Sequence, residues 1–340
     1  MPFDPTDLAP VLRTVADAVV AARRVQQTLD AVVELTKDDR SPVTVADFAV
    51  QAIVSLDLHT LDPETRIVGE EHAAMLRDPA HTAMRDAVLD AVRTVRPDVT
   101  VEAMIDAIDR CDHDGTADGY WALDPVDGTK GFLRGQQYAI ALGWIEAGVV
   151  VAGVMGCPNL PADHDGPLDA ADRDGVLYAA VRGAGVREVP AGTPDAAGRP
   201  ITTAAFSPGG TIRVCESVEA AHSKHSDVAD IVETLGGSRA PVRLDSQCKY
   251  AVVARGQADA YLRLPTRRTY VEKIWDHAAG SLIATEAGAV VTDITGAPLD
   301  FTCGARLERN RGIVCAVPEL HSGVITAIAD LGIGKTVEAG

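Results

Sequence analysis

Hydrophobic side chains recur at helical spacing near the start of the chain, across residues 7–36. Polar residues fill the positions between them, so the segment is predicted to form an amphipathic helix with one face against the protein core. The apolar positions that would share this face are Leu8, Val11, Leu12, Val15 and Val19.

The periodicity breaks at residues 41–44, where a proline predicts an extended segment. Asp47 then stands where a second helix would begin, ahead of a new apolar stripe. Residues 66–69 form a short apolar run that predicts a buried strand ending in a glycine turn. A longer periodic segment at 82–110 predicts a further helix.

Strand-like patterns dominate the middle of the chain. The run YAIALGWIEAGVVVAGVMG predicts a hairpin, and GVLYAAVRGAGV predicts a second strand pair beyond an acidic loop. Farther on, the strand patterns TIRVCES and ADAYLRL alternate with the helical patterns HSDVADIVETLG and HAAGSLIATEAG. This alternation favours an α/β second half. The segment PAGTPDAAGRP, residues 190–200, is the best candidate for a linker between the halves.

Composition narrows the functional classes. The 340 residues carry a formal net charge of -18, which argues against binding to nucleic acid or to acidic membrane surfaces. No apolar run approaches the roughly 20 residues that span a bilayer, and the N-terminal segment has no secretory signal pattern. Six scattered cysteines without a CxxC pair are typical of reduced core thiols. We therefore expect a soluble, cytoplasmic protein with no nucleic-acid or membrane partner.

The segment LDPVDGTKGF, residues 123–132, carries the most specific chemistry. Asp124 and Asp127 flank a proline, Gly128 permits close backbone approach, and Thr129 is placed to start a helix. Two carboxylates this close repel unless a cation lies between them, and oxygen ligands of this kind suit Mg²⁺. An acidic surface turn is the alternative interpretation. Further acids beside apolar segments, in GEE and in WDHAAG, favour a metal-assisted phosphate site.

These motifs, in this order, resemble the inositol monophosphatase and fructose-1,6-bisphosphatase superfamily of metal-dependent, lithium-sensitive phosphatases. The resemblance extends over residues 37–318. It is most specific for the 3′(2′),5′-bisphosphate nucleotidase, or salt-tolerance phosphatase, branch. The segments that carry it are KDDRSPVTVADFAVQ, ALDPVDGTKGFLRGQQYAIAL, ESVEAAHSKH, RLDSQCKYAVVARGQADAYLRLP and YVEKIWDHAAG.

The resemblance implies a role for individual residues. Asp47 and Thr129 would pair to take the proton from the attacking water, and Thr129 and Asp276 would also contact substrate. Two or three Mg²⁺ ions would be bound per site, by Glu70, Asp124, the Val126 carbonyl, Asp127 and Asp276. Nucleotide recognition would fall to His222, Ser246, Lys249 and Arg263.

The resemblance also implies a fold and a reaction. The fold is an α/β layered sandwich (αβαβα), with an α+β metal-binding domain over 1–190 and an α/β domain carrying the nucleotide-binding residues over 200–335. The reaction is Mg²⁺-dependent hydrolysis of 3′-phosphoadenosine 5′-phosphate to AMP and phosphate, with 3′-phosphoadenosine 5′-phosphosulfate as a further substrate, in the context of sulfur assimilation. Two alternatives stay open: an inositol-phosphate or sugar-phosphate monoesterase, and a nucleotide sensor without turnover.

Overall fold

A computed structural model describes residues 4, 7–28, 42–168, 171–207, 209–218, 225–265 and 270–334. Its α-helices are α1 (Leu8–Gln27), α2 (Pro42–Leu61), α3 (Thr82–Arg93), α4 (Val101–Asp109), α5 (Thr129–Leu133), α6 (His225–Thr234), α7 (Cys248–Ala254), α8 (Ala278–Glu286) and α9 (Pro318–Asp330). Its strands are β1 (Ile67–Gly69), β2 (Gly119–Asp127), β3 (Ala139–Glu146), β4 (Val149–Cys157), β5 (Val176–Val181), β6 (Gly185–Pro190), β7 (Arg199–Pro200), β8 (Thr211–Glu216), β9 (Ser238–Arg243), β10 (Ala260–Arg263), β11 (Val290–Thr292) and β12 (Ile313–Ala316).

The strands form two sheets. Strands β1 to β7 lie in chain order in the first sheet, where β1 is parallel to β2 and the later pairs are antiparallel. The second sheet has the order β11-β12-β10-β8-β9. In it β8 runs parallel to both β9 and β10, whereas β12 is antiparallel to its two neighbours. The second half therefore contains parallel strands joined through helices, as the alternating pattern predicts.

Helices and sheets alternate in layers. Helices α1 and α2 cover one face of the first sheet, and α7 and α8 fill the space between the two sheets. Helices α6 and α9 cover the outer face of the second sheet. Three apolar clusters hold these five layers together, and the second cluster joins the central helices to both sheets. The predicted α/β layered sandwich is confirmed.

Several predicted elements are confirmed with altered boundaries. The first helix is present over Leu8–Gln27, and residues 29–36 of the prediction lie outside the described residues. The predicted helix at 82–110 is two helices, because Pro97 interrupts the segment and the Thr100 hydroxyl caps α4 by accepting from the Ala103 N–H. Both strand pairs form as predicted, and the turn of the first hairpin lies at 147–148.

The prediction that residues 41–44 are extended is wrong for the described part. Helix α2 already begins at Pro42, and Asp47 lies in its second turn rather than at its head. Proline restricts the residue before it, but it is well accommodated in the first turn of a helix, where its missing N–H has no partner to lose. The proline therefore marks the start of this helix and not a break before it.

The boundary between the proposed domains stays a prediction. Arg199 and Pro200 of the proposed linker form the edge strand β7, which pairs with β6 of the first sheet. The second sheet begins with β8 at Thr211. Among the described residues, none of the helices is both long and apolar enough to cross a lipid bilayer.

Close packing of the central helical layer gives a stability prediction. A Cβ on Gly280 of α8 would lie 2.3 Å from the Tyr250 ring of α7. We expect Gly280→Ala to lower the free energy of unfolding by about 1–3 kcal/mol, since the ring is buried and has no room to move away. Urea unfolding checks this, with Gly192→Ala as the control because no atom lies within 4 Å of its added Cβ. Equal stability of the two variants would contradict the packing described here.

Candidate active site

The parallel pairing of β1 with β2 brings the first two acidic groups together. Gly69 is in register with Leu123, so Glu70 and Asp124 follow at the same edge of the sheet. Asp124 is 2% exposed, whereas Glu70 keeps contact with solvent at the mouth of the site. The short strand β1 therefore places a carboxylate beside the end of β2.

The end of β2 is irregular where it reaches the site. Its pairing with β3 shifts register between Asp124 and Asp127, which re-aims the side chains of this stretch. Gly128 follows in the left-handed region with φ +89°, and a Cβ there would lie 2.8 Å from the Ser246 Cβ. Glycine at 128 thus meets both a conformational and a steric requirement of the turn into α5.

A loop before α7 approaches this turn from the second half of the chain. The Gln247 backbone N–H donates to Asp127 Oδ2 at 2.5 Å. The Gln247 side chain donates to the Trp275 carbonyl at 2.9 Å and accepts from the Gly280 N–H at 3.0 Å. Gln247 therefore connects the end of β2 with the start of α8, next to Asp276.

A cavity of about 360 Å³ opens at this meeting point. Nine of the predicted site residues line it: Glu70, Asp124, Val126, Asp127, Thr129, Ser246, Lys249, Arg263 and Asp276. Asp47 is buried behind the cavity rather than on its surface, and His222 lies outside the described residues. The structure thus brings acids from both halves of the chain together with Lys249 and Arg263 of the second half.

Glu70, Asp124 and Asp276 form what we call the acidic wall of the cavity. Burial and the charges of neighbouring acids raise the pKa values of these three carboxyl groups. Burial, followed by the charges of Asp127 and Glu70, raises the pKa of Asp124 well above its ordinary value. Burial and the charges of Glu71 and Asp127 raise the pKa of Glu70 to about 7, although solvent at the mouth screens part of this repulsion. Burial also raises the pKa of Asp276 to about 7, against the opposing charge of Arg263.

These residues fit a bound metal ion. Asp124 Oδ1 is buried and has no hydrogen-bond partner within the described residues, which is costly for a polar atom unless a ligand completes it. Carboxylate oxygens that repel one another at neutral pH are the donor set that a hard divalent cation stabilises. A second acidic group, Glu272 with Asp276 and His277, has ligand atoms within 4.8 Å of one another. In this second group, however, the Glu272 carboxylate already lies 2.8 Å from Arg263 and 3.3 Å from His277.

The predicted pair of Asp47 and Thr129 is not joined by a hydrogen bond within the described residues. Burial, followed by the charges of Glu71 and Glu70, raises the pKa of Asp47 well above its ordinary value. Asp47 is therefore close enough to Glu70 and Glu71 to be affected by their charges, although it does not line the cavity. Thr129 lies at the exposed start of α5. Their pairing stays a prediction.

Three cationic side chains line the cavity, and two of them, Lys249 and Arg263, are among the predicted site residues. Lys249 is 3% exposed, lies 5.2 Å from the Tyr261 ring centre, and donates a long 3.5 Å bond to the Leu244 carbonyl. Burial lowers its pKa, and the charge of Asp127 opposes that shift. Arg263 is 2.8 Å from Glu272 and 3.6 Å from Asp276. We call the lining around Asp124 and Asp127 the acidic end and the lining around Lys249 and Arg263 the cationic end, and Asp276, 3.6 Å from Arg263, lies where the two meet.

Sequence reasoning missed several residues that line or support this site. Gln247 lies inside the segment RLDSQCKYAVVARGQADAYLRLP, which carries the family resemblance. No periodicity there indicates that it would contact Asp127, Trp275 and Gly280. Glu272, in YVEKIWD, carries a signal only as an acid near Asp276. The additional lining side chains are Lys130, Ser217, Asp245, Gln247, Tyr261 and Tyr270.

Comparison with known proteins gives a consistent picture. The profile of the inositol monophosphatase family matches residues 5–332. A 3′(2′),5′-bisphosphate nucleotidase of Schizosaccharomyces pombe is 42% identical over 306 residues, which cover 87% of this chain and 86% of that protein. The protein of the same name from Emericella nidulans is 40% identical over 326 residues, with 86% of this chain and 89% of that protein covered.

Solved structures share the fold. Mycobacterium tuberculosis SuhB matches with a TM-score of 0.58 and 22% identity, over 96% of this chain and 98% of that one. Staphylococcal IMPase-II matches with a TM-score of 0.59 and 18% identity, over 94% and 92% of the two chains. At these identities the likeness extends to the layered architecture alone.

The acidic wall predicts how stability depends on pH without metal. A carboxyl group whose folded pKa is raised loses stability as pH rises from its unfolded pKa, near 4, through its folded pKa, here about 7. We expect the metal-free protein to lose about 1–3 kcal/mol of unfolding free energy between pH 5.5 and 8, after allowing for solvent screening at Glu70.

Chemical denaturation at both pH values with chelator, and again with Mg²⁺, measures this loss. Asp124→Asn should reduce the decline and also the stabilisation by Mg²⁺, whereas the exposed Asp118→Asn should behave like the wild type. A metal-free protein that is equally stable across the range, or more stable at pH 8, would show that these carboxyl groups do not repel as described.

Proposed function

This chain belongs to the inositol monophosphatase family and is an enzyme, and on that premise we propose that it hydrolyses 3′-phosphoadenosine 5′-phosphate to AMP and phosphate. The names of the relatives at about 40% identity support this substrate class. The observation that carries the proposal is that the acids of the metal site and two cations, Lys249 and Arg263, line the same cavity. A substrate with two phosphates needs a separate cationic partner for the phosphate that is retained.

The acidic end would receive the phosphate that is cleaved. Mg²⁺, as two or three ions, would be held by Glu70, Asp124, Asp127, Asp276 and the Val126 carbonyl. When bound, such ions supply positive charge that stabilises phosphate oxygens and makes nearby water more acidic. The Thr129 hydroxyl, which lies on the wall of the same cavity, would help to orient the phosphate.

Proton removal would fall to Asp47 acting with Thr129. Asp47 is a buried carboxylate whose raised pKa makes it a better base than an ordinary aspartate. A hydroxyl between that carboxylate and the attacking water passes the proton on without carrying a charge itself. Asp47 is 7% exposed, so little bulk water reaches it.

The cationic end would hold the 5′-phosphate. Lys249 is buried and donates a long hydrogen bond to the Leu244 carbonyl, and Arg263 lies at the cavity wall. Ser246, with His222, would place the ribose and the base. The 5′-phosphosulfate of 3′-phosphoadenosine 5′-phosphosulfate presents the same anionic character, so we propose it as a further substrate. We also propose that the enzyme is sensitive to lithium, because Li⁺ is a hard cation that suits the carboxylates of the metal site.

The proposed base predicts non-additive kinetics. Thr129→Ala and Asp47→Asn should each lower kcat more than they change KM, because the main role proposed for both groups is to take the proton from the attacking water. The double variant should be no slower than the slower single variant, since residues that act as one unit are not additive. Steady-state kinetics on 3′-phosphoadenosine 5′-phosphate decides. Losses that multiply in the double variant would refute the shared role.

The cationic end predicts a substrate-dependent loss. Lys249→Ala or Arg263→Ala should lower kcat/KM for 3′-phosphoadenosine 5′-phosphate about ten- to a hundred-fold, because a charge-assisted phosphate contact is lost. Activity on inositol 1-phosphate should change little, since this substrate has no second phosphate to hold. Arg199→Ala, on an exposed arginine of the edge strand β7, serves as the control. Equal losses on both substrates would favour the monoesterase alternative.

A further inference from the structure

A chain of buried polar groups runs behind the cationic end of the cavity. The Tyr250 hydroxyl and His277 Nδ1 are 2.9 Å apart, and His277 Nε2 lies 3.3 Å from Glu272 Oε2. The same Glu272 oxygen lies 2.8 Å from the Arg263 guanidinium. Glu272 is 6% exposed and His277 is fully buried. The chain therefore ends on the one arginine that lines the cavity within the described residues.

Arg263 has two carboxylates within reach. Its Nη2 is 2.8 Å from Glu272 and 3.6 Å from Asp276, so Glu272 is its closer partner. Tyr270 adds a hydroxyl contact at 3.3 Å and a ring face 5.9 Å from the guanidinium carbon. If Glu272 lost its charge, Asp276 would be the remaining carboxylate beside Arg263. An arginine paired with Asp276 would be turned away from a substrate anion and would neutralise an acid of the metal site.

We propose that Glu272 is a positioning residue that directs Arg263 toward the second phosphate of the substrate and keeps it from pairing closely with Asp276. This inference rests on the proposed function, because it assigns Arg263 to the retained phosphate. His277 and Tyr250 hold the Glu272 carboxylate in place, so the arrangement is supported from the core side by α7 and by the start of α8. Glu272 itself need not touch substrate.

AMP is the probe that isolates this role, since it carries the retained 5′-phosphate and lacks the 3′-phosphate. Calorimetry with metal-free protein would compare wild type, Glu272→Gln, Arg263→Gln and the double variant. Each single variant should bind AMP roughly tenfold more weakly, as expected for one charge-assisted phosphate contact. The double variant should bind no more weakly than Arg263→Gln, because Glu272 acts through Arg263.

A matched control separates positioning from general destabilisation. Glu188 is also a buried carboxylate that partners arginine and histidine, Arg255 and His164, but it lies outside the cavity. Glu188→Gln should lower the melting temperature while leaving AMP affinity unchanged. If Glu272→Gln alone does not fold, Glu272→Met, a neutral side chain of similar length, takes its place with the same expected loss, and AMP affinity equal to that of the wild type would overturn the role.

The outcomes are distinct. Unchanged or tighter AMP binding by Glu272→Gln, or a double variant weaker than Arg263→Gln, would overturn the positioning role. AMP binding that is lost equally in Glu188→Gln would also overturn it, since the effect would then be structural. Failure of the wild type to bind AMP would refute the proposed function itself, and the inference with it.

Discussion

The crowding of carboxylates in a site that is largely withdrawn from water is the constraint on which this site depends. Asp47, Glu70, Asp124 and Asp276 all have raised pKa values, and in each case burial is the leading cause. A fold does not gather such groups for stability, because each ionised carboxylate in a nonpolar setting opposes folding. A cation that lies among them reverses the sign of the interaction. The scaffold therefore holds these carboxyl groups close together, and a bound cation would stabilise their ionised forms.

The layered scaffold supplies this restraint through backbone geometry. The parallel register of β1 and β2 fixes Glu70 beside Asp124, and Gly128 lets the next turn approach the loop at Ser246. Gln247 then joins that turn to the start of α8. Because the central helices α7 and α8 lie between both sheets, residues of the two halves meet at one cavity. The first half contributes most of the acids, and the second contributes Asp276, Lys249 and Arg263.

Much of this arrangement was predictable from the sequence. The motifs around Asp124 and Asp276 identify the acidic end, the alternating patterns indicate the α/β second half, and the family resemblance implies the layered architecture. Helix boundaries were less predictable, since Pro42 begins α2 where its local preference indicated a break. Glu272 and Gln247 were missed for a different reason: their roles depend on contacts between residues distant in sequence. Hydrophobic periodicity reports which face of an element is buried, and it carries no information on which polar groups meet there.

Calorimetric titration of metal-free protein with Mg²⁺ at pH 6.5, in two buffers of different ionisation enthalpy, tests the central claim most directly. With Glu70 and Asp276 near a pKa of about 7, both are partly protonated at this pH, and a bound cation displaces those protons. The account predicts release of on the order of one proton per protein molecule. Binding without proton release, or no binding of Mg²⁺, would contradict it.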